Sequence, residues 1–581
     1  MEEEKKWKNR KRILPAILVS ITIPLILCVA IPFEIYSNNI QEFLFDVWDF
    51  LPLCIVFGLI LAGIIFCVLL FVPDRLYKIF SLIVLSFALM LFLQGNYLNA
   101  GINSLEGDRL TSGAPSTALK VLNVFVWLVI IGAAVGVSFI RDKKDITGKV
   151  AMVLALIIII AHLVIPVFAI INTNNIFMSK EDKLNSGEST GVSKFLSTKN
   201  LTLISSNSNV FYFVIDRFDE YYAEEILESN PEMFDWMEGF THYKDNISLY
   251  GSTFPSMAYM MTNYRYDVEL YKHENLIKAY EENTTFKTLH DNGYRINFFG
   301  ERQQDFNEAK DLPDYVENVS ELKKCKVKKP ALLSLYMICY AMYRCSPLVM
   351  KPIYSGVNSI SCNKLVTMKD EDGYVNYNLD NEQALKLVKA SPFEVTEDKV
   401  FSLVHFDGCH MVNFDYKNGT AKAPSKSAKK IKEMVKECFD IINLYIAELK
   451  KIGAYKDATI IVTGDHGASG SDTTRLSSSK LTALFFKPSG RDEGFDVSDA
   501  QVTHRNIWPA IMQSENIQTY EDTFPSLLDV NNDREITREF ILRTYSRDTV
   551  DEYYYEIKGP GRNFENWEFI KNVHSDKYIM D

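Results

Sequence analysis

The chain has 581 residues, a net charge of −12 and 47% hydrophobic residues. It is too long for one typical domain, and because no basic stripe accompanies the acidic balance, we expect no nucleic-acid partner. The hydrophobic residues are concentrated near the start of the chain in five apolar runs, which are Ile13–Phe33, Leu51–Pro73, Ile79–Leu93, Val121–Ile140 and Val150–Ile171.

Four of these runs lack Lys, Arg, Asp and Glu over about 20 residues, which is enough to cross a bilayer, and the third is shorter. The first run is too long for a signal peptide, so we expect it to be retained. Basic residues gather before the first run and in the short second and fourth loops, whereas the longer third loop holds only Arg109 and Lys120. This alternation predicts a multi-pass cell-membrane protein with a cytoplasmic N-terminus and everything after Ile171 outside.

The polar segment 172–209 is rich in Asn, Ser, Lys and Gly, which is typical of a linker. The predicted organisation is therefore a five-span transmembrane domain over residues 1–171, a linker over 172–209 and an extracytoplasmic catalytic domain over 210–581.

Beyond the linker, strand and helix patterns alternate. A helical stretch is predicted at Leu276–His290, and a long amphipathic helix from about Ile431 to Ile452. The predicted strands are short apolar runs, namely Val210–Ile215, Arg295–Phe299, Val400–Val404, Ala458–Val462 and Leu481–Phe486. Strands separated by helices indicate an α/β domain with a mostly parallel central sheet and helices on both faces.

Two polar positions lie where ligands collect in such sheets. Asp216 ends the first strand, and a buried carboxylate there needs a partner, which could be a metal ion, Arg217 or a helix N-terminus. Thr253 precedes a helical stretch at Ser256–Met261, where its hydroxyl could be an ordinary helix cap. Helix-start N–H groups also bind phosphate, and beside a metal ion the Thr253 hydroxyl could act as a nucleophile.

Two further clusters follow the later strands. His405 and His410 flank Gly408 after Val400–Val404, so their imidazoles can converge on one ligand. Asp465 and His466 follow Ala458–Val462, and a carboxylate beside an imidazole suits a divalent ion such as zinc or manganese. The same pair also occurs in ordinary surface turns.

Together these motifs resemble those of the alkaline phosphatase superfamily, in its sulfatase-like branch, which includes lipoteichoic acid synthases and phosphoethanolamine transferases. The resemblance covers roughly residues 210–513 and rests on several motifs as they stand in this chain, which are Thr253-Phe-Pro-Ser256, His405-x-x-Gly408-x-His410, the stretch from Leu449 to Gly467, and Val502-Thr-His504. Thr253 corresponds to the family nucleophile. A threonine cannot form the formylglycine of arylsulfatases, and Met257 replaces their arginine, so we do not expect sulfate-ester hydrolysis.

The resemblance implies that Asp216, Thr253, Asp465 and His466 hold one divalent ion, manganese or zinc, and it allows a second zinc. Thr253 would form a phospho-threonine, while His410, with His405, would orient the phosphate or protonate the leaving group. The implied function is transfer of a phosphoglycerol- or phosphoethanolamine-type group from a phospholipid donor to an envelope glycan or lipid acceptor. The alternatives are a phosphodiesterase or phosphatase at the outer membrane face and a non-enzymatic envelope scaffold.

Overall fold

A computed structural model describes residues 2–99, 115–139, 146–172, 176–185, 192–409, 416–417, 420–421, 425–467, 480–520, 522, 524–532, 535–545 and 549–577. The chain forms two compact units. The first comprises Met1–Ser193 and Leu322–Lys369, and the second comprises Lys194–Glu321 and Asp370–Asp581. The predicted linker and domain boundaries stay predictions. One segment that they assign to the catalytic domain, Leu322–Lys369, packs with the N-terminal helices.

The first unit contains the five predicted apolar segments as long helices. The first is α-helical over Glu2–Pro24 and Ile31–Asn38, with a π-helical stretch at Leu25–Ala30 between them. The other four helices are Val47–Phe71, Asp74–Asn96, Thr117–Ser138 and Ile146–Asn172. Within the described residues, five helices are long and apolar enough to span a membrane, so the prediction of a multi-pass membrane protein is confirmed.

The segment Leu322–Lys369 completes the first unit. Its main element is the apolar helix Pro330–Cys345, which packs against the N-terminal helices through buried side chains such as Leu333 and Met337. Polar contacts add to this packing. Ser334 Oγ donates to the Phe50 carbonyl at 3.0 Å, and the Arg344 guanidinium lies 3.0 Å from Glu34 Oε1. The shorter elements of the unit are Lys180–Asn185, Lys324–Val327, Lys351–Tyr354, Ser359–Asn363 and Val366–Lys369.

The second unit is built on a seven-stranded sheet. Its strands in chain order are β1 (Asn209–Ile215), β2 (Phe240–Ile247), β3 (Tyr294–Phe299), β4 (Lys399–Phe406), β5 (Thr459–Gly464), β6 (Leu484–Lys487) and β7 (Phe495–Thr503). The spatial order is β7-β2-β6-β5-β1-β4-β3, and only the two pairs that β6 makes are antiparallel. The predicted, mostly parallel α/β sheet is therefore confirmed.

Apolar side chains cover both faces of this sheet. Val210, Tyr212 and Val214 of β1 join the core on one face, whereas Phe211, Phe213 and Ile215 join the core on the other. This alternation follows from strand geometry and explains why β1 is apolar from Val210 to Ile215. The helices of the unit are Glu220–Ser229, Thr253–Thr262, Lys272–Glu281, Thr284–Asp291, Asn381–Ala390, Ser425–Lys451 and Ile507–Ser514.

Two sequence-based boundaries need correction. The stretch predicted as one helix over Leu276–His290 is two helices, because Asn283 adopts an extended conformation and its side chain caps the second helix by accepting from the Phe286 N–H. The strand predicted at Leu481–Phe486 begins only at Leu484, and it runs antiparallel to its neighbours.

A separate antiparallel sheet ends the chain. Its strands are β8 (Thr537–Tyr545), β9 (Val550–Lys558) and β10 (Trp567–Ser575), paired in that order. The buried Arg538 of β8 anchors it to the central sheet through an ion pair with Asp245 of β2, with an N–O distance of 3.0 Å. The remaining short strands and single-turn helices of this unit are Lys194–Leu196, Leu203–Ser205, Pro231–Phe234, Ala309–Asp311, Val319–Glu321, Glu394–Thr396, Tyr416–Lys417, Thr420–Ala421, His504–Asn506 and Phe564–Asn566.

Candidate active site

The strand order places three of the predicted clusters side by side. β1 is an inner strand of the sheet, with β5 on one side and β4 on the other. Ile215, which precedes Asp216, pairs in register with Gly464 of β5 and Phe406 of β4. Because all three strands are parallel, Asp216, Asp465 and His405 emerge at the same edge of the sheet, as ligand sites in α/β proteins do.

Asp216, Asp465 and His466 form a compact buried cluster. Their ligand atoms all lie within 4.8 Å of one another. Among the described residues, this is the only group of three His, Cys, Asp or Glu side chains found close enough together to hold a metal ion. His466 Nε2 lies 3.5 Å from Asp465 Oδ2 and 3.8 Å from Asp216 Oδ1. Two carboxylates and one imidazole converging in this way form a donor set that suits a divalent ion.

The Asp465 carboxylate is held by the backbone. Its Oδ1 accepts hydrogen bonds from the Arg217 N–H at 2.7 Å and from the His466 N–H at 2.8 Å. Arg217 has a φ of 60°, a left-handed conformation that is costly for a residue other than glycine. Asp465 Oδ2 is buried and accepts no hydrogen bond from the described residues. A buried carboxylate oxygen in this state is a fitting ligand for a cation.

The His466 ring is oriented by its own loop. Its Nδ1 lies 2.7 Å from the Gly467 carbonyl oxygen, which can only accept a hydrogen bond, so Nδ1 carries the proton. The lone pair is then on Nε2, which is the atom that faces Asp216 and Thr253. A carbonyl that fixes the tautomer of a histidine in this way is the usual companion of a metal-binding imidazole.

Thr253 is brought to this cluster at the start of its helix. Its Oγ1 lies 3.4 Å from Asp216 Oδ1 and 3.4 Å from His466 Nε2. Ser252 precedes the helix but its side chain makes no capping hydrogen bond, and the extended backbone of Phe254 kinks the helix directly after Thr253. One turn into the helix, the buried Ser256 Oγ donates to the Asp465 carbonyl at 2.6 Å and ties the helix to the end of β5. The half-buried Thr253 hydroxyl therefore faces the candidate ligands.

The electrostatics of the cluster favour a bound cation. Burial, followed by repulsion from Asp465, raises the pKa of Asp216 well above its ordinary value. Burial also acts to raise the pKa of Asp465, but His466 and His405 outweigh it and the net shift is downward. Two carboxylates this close and this buried repel each other, and a bound cation would relieve the repulsion.

His405 lies at the end of β4 and is paired with a residue that the sequence analysis missed. Its Nδ1 is 2.8 Å from Oδ2 of the fully buried Asp305. Burial opposes protonation of the ring, but Asp305 outweighs it and raises the pKa of His405 to about 10. His405 Nε2 is buried without a hydrogen-bond partner among the described residues. Asp305 lies in a loop with no recognisable motif. His410, predicted beside His405, lies outside the described residues.

His504 is buried next to the cluster but is engaged differently. Its Nε2 lies 3.4 Å from Thr463 Oγ1 and 3.3 Å from Thr482 Oγ1. Burial lowers the pKa of His504 to about 4, so this ring is neutral at physiological pH. The neutral, buried His504 ring therefore contacts Thr463 near the end of β5.

Two glycines allow the chain after β4 and the end of β5 to lie close to the turn that follows Asp216. A Cβ on Gly408, which has a φ of 53°, would lie 2.4 Å from the Asp216 nitrogen. A Cβ on Gly464 would lie 2.3 Å from the Phe218 carbonyl oxygen. Larger residues at either position would push β4 or β5 away from the turn that follows Asp216.

A nucleophile-like hydroxyl beside an acidic and imidazole cluster, at the carboxyl edge of a mostly parallel sheet, defines an enzyme of the alkaline phosphatase type. The family model described as Sulfatase matches residues 208–514, which is more than half of the chain. The chain belongs to the sulfatase family. Members of this family are enzymes that use divalent metal ions, so the alternative of a non-enzymatic scaffold is set aside.

Comparison with solved structures gives distant likenesses. The lipoteichoic acid synthase LtaP from Listeria monocytogenes is 13% identical, with a TM-score of 0.34, and the match covers 64% of this chain and 86% of LtaP. The phosphonate monoester hydrolase SpPMH from Silicibacter pomeroyi is 12% identical, with a TM-score of 0.38 and coverage of 63% and 88%. No curated protein matches the sequence.

Proposed function

We propose that this protein is a membrane-anchored phosphotransferase that moves a phosphoglycerol- or phosphoethanolamine-type group from a phospholipid to an envelope glycan or lipid. The observation that carries the proposal is the position of the Thr253 hydroxyl, 3.4 Å from both Asp216 and His466. A threonine in this position favours phosphoryl chemistry over sulfate-ester hydrolysis, because it cannot form an aldehyde nucleophile. The five apolar helices of the first unit support the proposal that the donor is a lipid.

Asp216, Asp465 and His466 would hold one divalent ion, with Thr253 Oγ1 as the fourth ligand. The buried Asp465 Oδ2 and the Nε2 lone pair of His466 fit a cation, and the mixed oxygen and nitrogen donors suit zinc or manganese. When bound, the ion supplies the positive charge that favours the ionised form of the Thr253 hydroxyl.

The proposed reaction has two steps. In the first, the Thr253 hydroxyl loses its proton and Oγ1 forms a bond to phosphorus, the bond from phosphorus to the lipid oxygen breaks, and the departing alkoxide takes up a proton. In the second, an acceptor hydroxyl loses its proton and bonds to phosphorus, while the Thr253 oxygen leaves and is reprotonated. His405, held by Asp305, would orient the phosphate or give the proton. The same role is proposed for His410, which lies outside the described residues.

Tracing a labelled headgroup tests this function. Membranes containing the full-length protein are incubated with phospholipids labelled in the headgroup phosphate, and the label is followed into glycolipid, glycan and water-soluble fractions. We expect label on an envelope acceptor, dependent on a divalent ion. Label that appears only as free headgroup would establish the hydrolase alternative, in which water replaces the acceptor at the same site.

The proposed orientation places the catalytic unit outside the cytoplasmic membrane. Besides the alternation of basic loops, the segment Leu322–Lys369 supports this arrangement. It contacts Glu34, Phe50 and Asn99, which lie near helix ends. Successive crossings put these helix ends on the same side of the membrane as the end of Ile146–Asn172, and the basic loops predict that this side is the outside.

Reporter fusions test the orientation. A reporter active only outside the cytoplasm should be active when fused after Ile171 and inactive when fused after Ser138, because one more crossing separates the two points. Activity with the opposite pattern would place the catalytic unit in the cytoplasm and remove access to lipid headgroups of the outer leaflet.

A further inference from the structure

The helix Pro330–Cys345 of the first unit is apolar on all sides. Its sequence contains no charged residue before Arg344. One side packs on the N-terminal helices through buried residues such as Leu333 and Met337, whereas Leu335 on the other side is 45% exposed. A helix at a protein–water surface has a polar outer side, and one that is apolar all round is surrounded by protein or by lipid. The exposed side of this helix is therefore suited to lipid rather than to water.

The helix lies across the ends of the membrane helices rather than alongside them. Near its start, Ser334 Oγ donates to the carbonyl of Phe50, in the first turn of the second membrane helix, at 3.0 Å. Near its end, Arg344 Nε donates to the carbonyl of Gly95, in the last turn of the third membrane helix, at 3.3 Å. Successive crossings put these two helix ends on one side of the membrane, so the apolar helix runs along that surface.

The residues Pro347–Tyr354, which follow this helix and are called the tip below, expose apolar side chains. Val349 is 48% exposed and Ile353 is 69% exposed. The one charged residue of the tip, Lys351, is buried, and its Nζ donates to two carbonyl groups in the last turn of the preceding helix. Its charge is therefore used to satisfy the end of that helix, and the outer surface of the tip stays apolar.

A hydrogen bond fixes the tip beside the fourth membrane helix. The Leu348 N–H donates to Asn123 Oδ1 at 3.0 Å. Asn123 lies about 9 Å along the helix Thr117–Ser138 from its start, at a rise of about 1.5 Å per residue. Close by on the same helix, Leu122 and Phe125 are exposed apolar side chains of the kind that face lipid in a membrane span. The apolar surface of the tip therefore continues the lipid-facing surface of the spans.

A run of exposed lysines precedes the apolar helix, in a chain whose net charge is −12; its members are Lys323, Lys324, Lys326, Lys328 and Lys329. Lys324 pairs with Glu181 at 3.1 Å, whereas Lys326, Lys328 and Lys329 form no ion pair with the described residues. The helix dipole opposes positive charge at a helix N-terminus, so helix stability does not explain these lysines. Beside an apolar element at a membrane surface, lysines attract the phosphates of anionic lipid headgroups.

We propose that residues 323–354 bind an anionic phospholipid bilayer directly. The apolar helix and the tip would contact acyl chains, and Lys326, Lys328 and Lys329 would contact headgroup phosphates. Because the chain enters the second unit at both ends of Leu322–Lys369, this element would be a membrane anchor within the catalytic chain, in addition to the N-terminal spans. Its lipid binding does not depend on the proposed reaction, and only its assignment to the outer leaflet rests on the proposed orientation.

Photocrosslinking of the full-length protein in lipid nanodiscs tests the tip. A benzophenone amino acid replaces Val349 or Ile353, and after irradiation mass spectrometry measures whether the protein has gained the mass of one phospholipid. Phe125, on a membrane span, is the positive control, and Val395, which is 54% exposed in the second unit, is the matched negative control. We expect lipid adducts at Val349, Ile353 and Phe125 and none at Val395. All four positions are exposed, so the probe should not disturb folding, which thermal unfolding checks.

The composition of the adduct tests the lysines. The same probe is placed at Ala331, an exposed position beside the lysines, in nanodiscs with equal amounts of phosphatidylglycerol and phosphatidylcholine. We expect phosphatidylglycerol to be enriched in the adduct at least about fivefold, the factor that one lysine near an anionic surface supplies. Lys326→Gln, Lys328→Gln and Lys329→Gln together should remove the enrichment and leave the total yield of lipid adduct unchanged.

The inference is overturned if neither tip position gives a lipid adduct, if both crosslink a second copy of the protein instead, or if Val395 gives as much lipid adduct as they do. Equal amounts of the two lipids in the Ala331 adduct of the protein with native lysines would overturn the headgroup contact. Thr253→Ala should give the same adducts as the native protein. Failure of the proposed function would therefore leave the lipid contacts established, whereas an active enzyme without these adducts would overturn only the anchor.

Discussion

Thr253→Ala should fold normally and transfer nothing. Removal of a nucleophile typically lowers the turnover rate by about 10⁴- to 10⁶-fold. The cost in stability should stay below about 1 kcal/mol, because the Thr253 hydroxyl contacts Asp216 and His466 only at 3.4 Å and the Ser256 bond to Asp465 is untouched. The measurement is headgroup transfer by the purified full-length variant, with thermal unfolding as the test of folding.

Thr253→Ser is the matched control for this variant. It keeps a hydroxyl near Asp216 and His466 and should retain measurable transfer. Mass spectrometry of the native protein trapped with labelled phospholipid should find the phosphoryl adduct on Thr253. Substantial transfer by Thr253→Ala would mean that water or the acceptor attacks phosphorus directly, and the covalent step would have to be abandoned.

Asp465→Asn should remove the bound metal ion. The asparagine oxygen can still accept from the Arg217 and His466 N–H groups, so the loop should keep its shape. The new amide would replace Oδ2, and an NH₂ group cannot ligate a cation. We expect metal content, measured by mass spectrometry of the purified protein, to fall by at least about tenfold.

Thermal unfolding gives a second measure of the same change. A chelator should lower the unfolding temperature of the native protein, because an ion bound only to the folded state stabilises it. Asp465→Asn should show no such shift. Asp457→Asn, at an exposed position in the turn before β5, should behave like the native protein. If the metal content of Asp465→Asn is unchanged, the Asp465-His466 pair is a structural turn and does not bind the ion.

Strands buried on both faces could be predicted from the sequence. After Asn209 in β1 and before Gly464 in β5, both strands consist of apolar and β-branched residues, and the structure places them among the inner strands of the sheet. β2 was missed because Thr241, His242 and Asp245 interrupt its apolar pattern. These polar side chains are accommodated by partners distant in the sequence, such as Arg538 for Asp245, which no local pattern reveals.

For the candidate site, too, local sequence patterns predict some residues and miss others. Asp216, Asp465 and His466 directly follow apolar strands, so parallel pairing alone predicts that they meet. Asp305 belongs to a loop, and it reaches His405 only because the chain folds back after β3. The C-terminal sheet was also missed. Its strands carry charged and aromatic residues on exposed faces and lack the apolar runs that marked the central strands.

The segment Leu322–Lys369 has a consequence for attempts to cut the protein apart. Because it belongs to the first unit, the polypeptide passes from one unit to the other three times, after Ser193, Glu321 and Lys369. A protease that cleaves once near residue 190 would leave two covalent connections intact and could not shed the catalytic unit. A fragment expressed from Lys194 onward would carry the apolar helix Pro330–Cys345 without its packing partners and should aggregate.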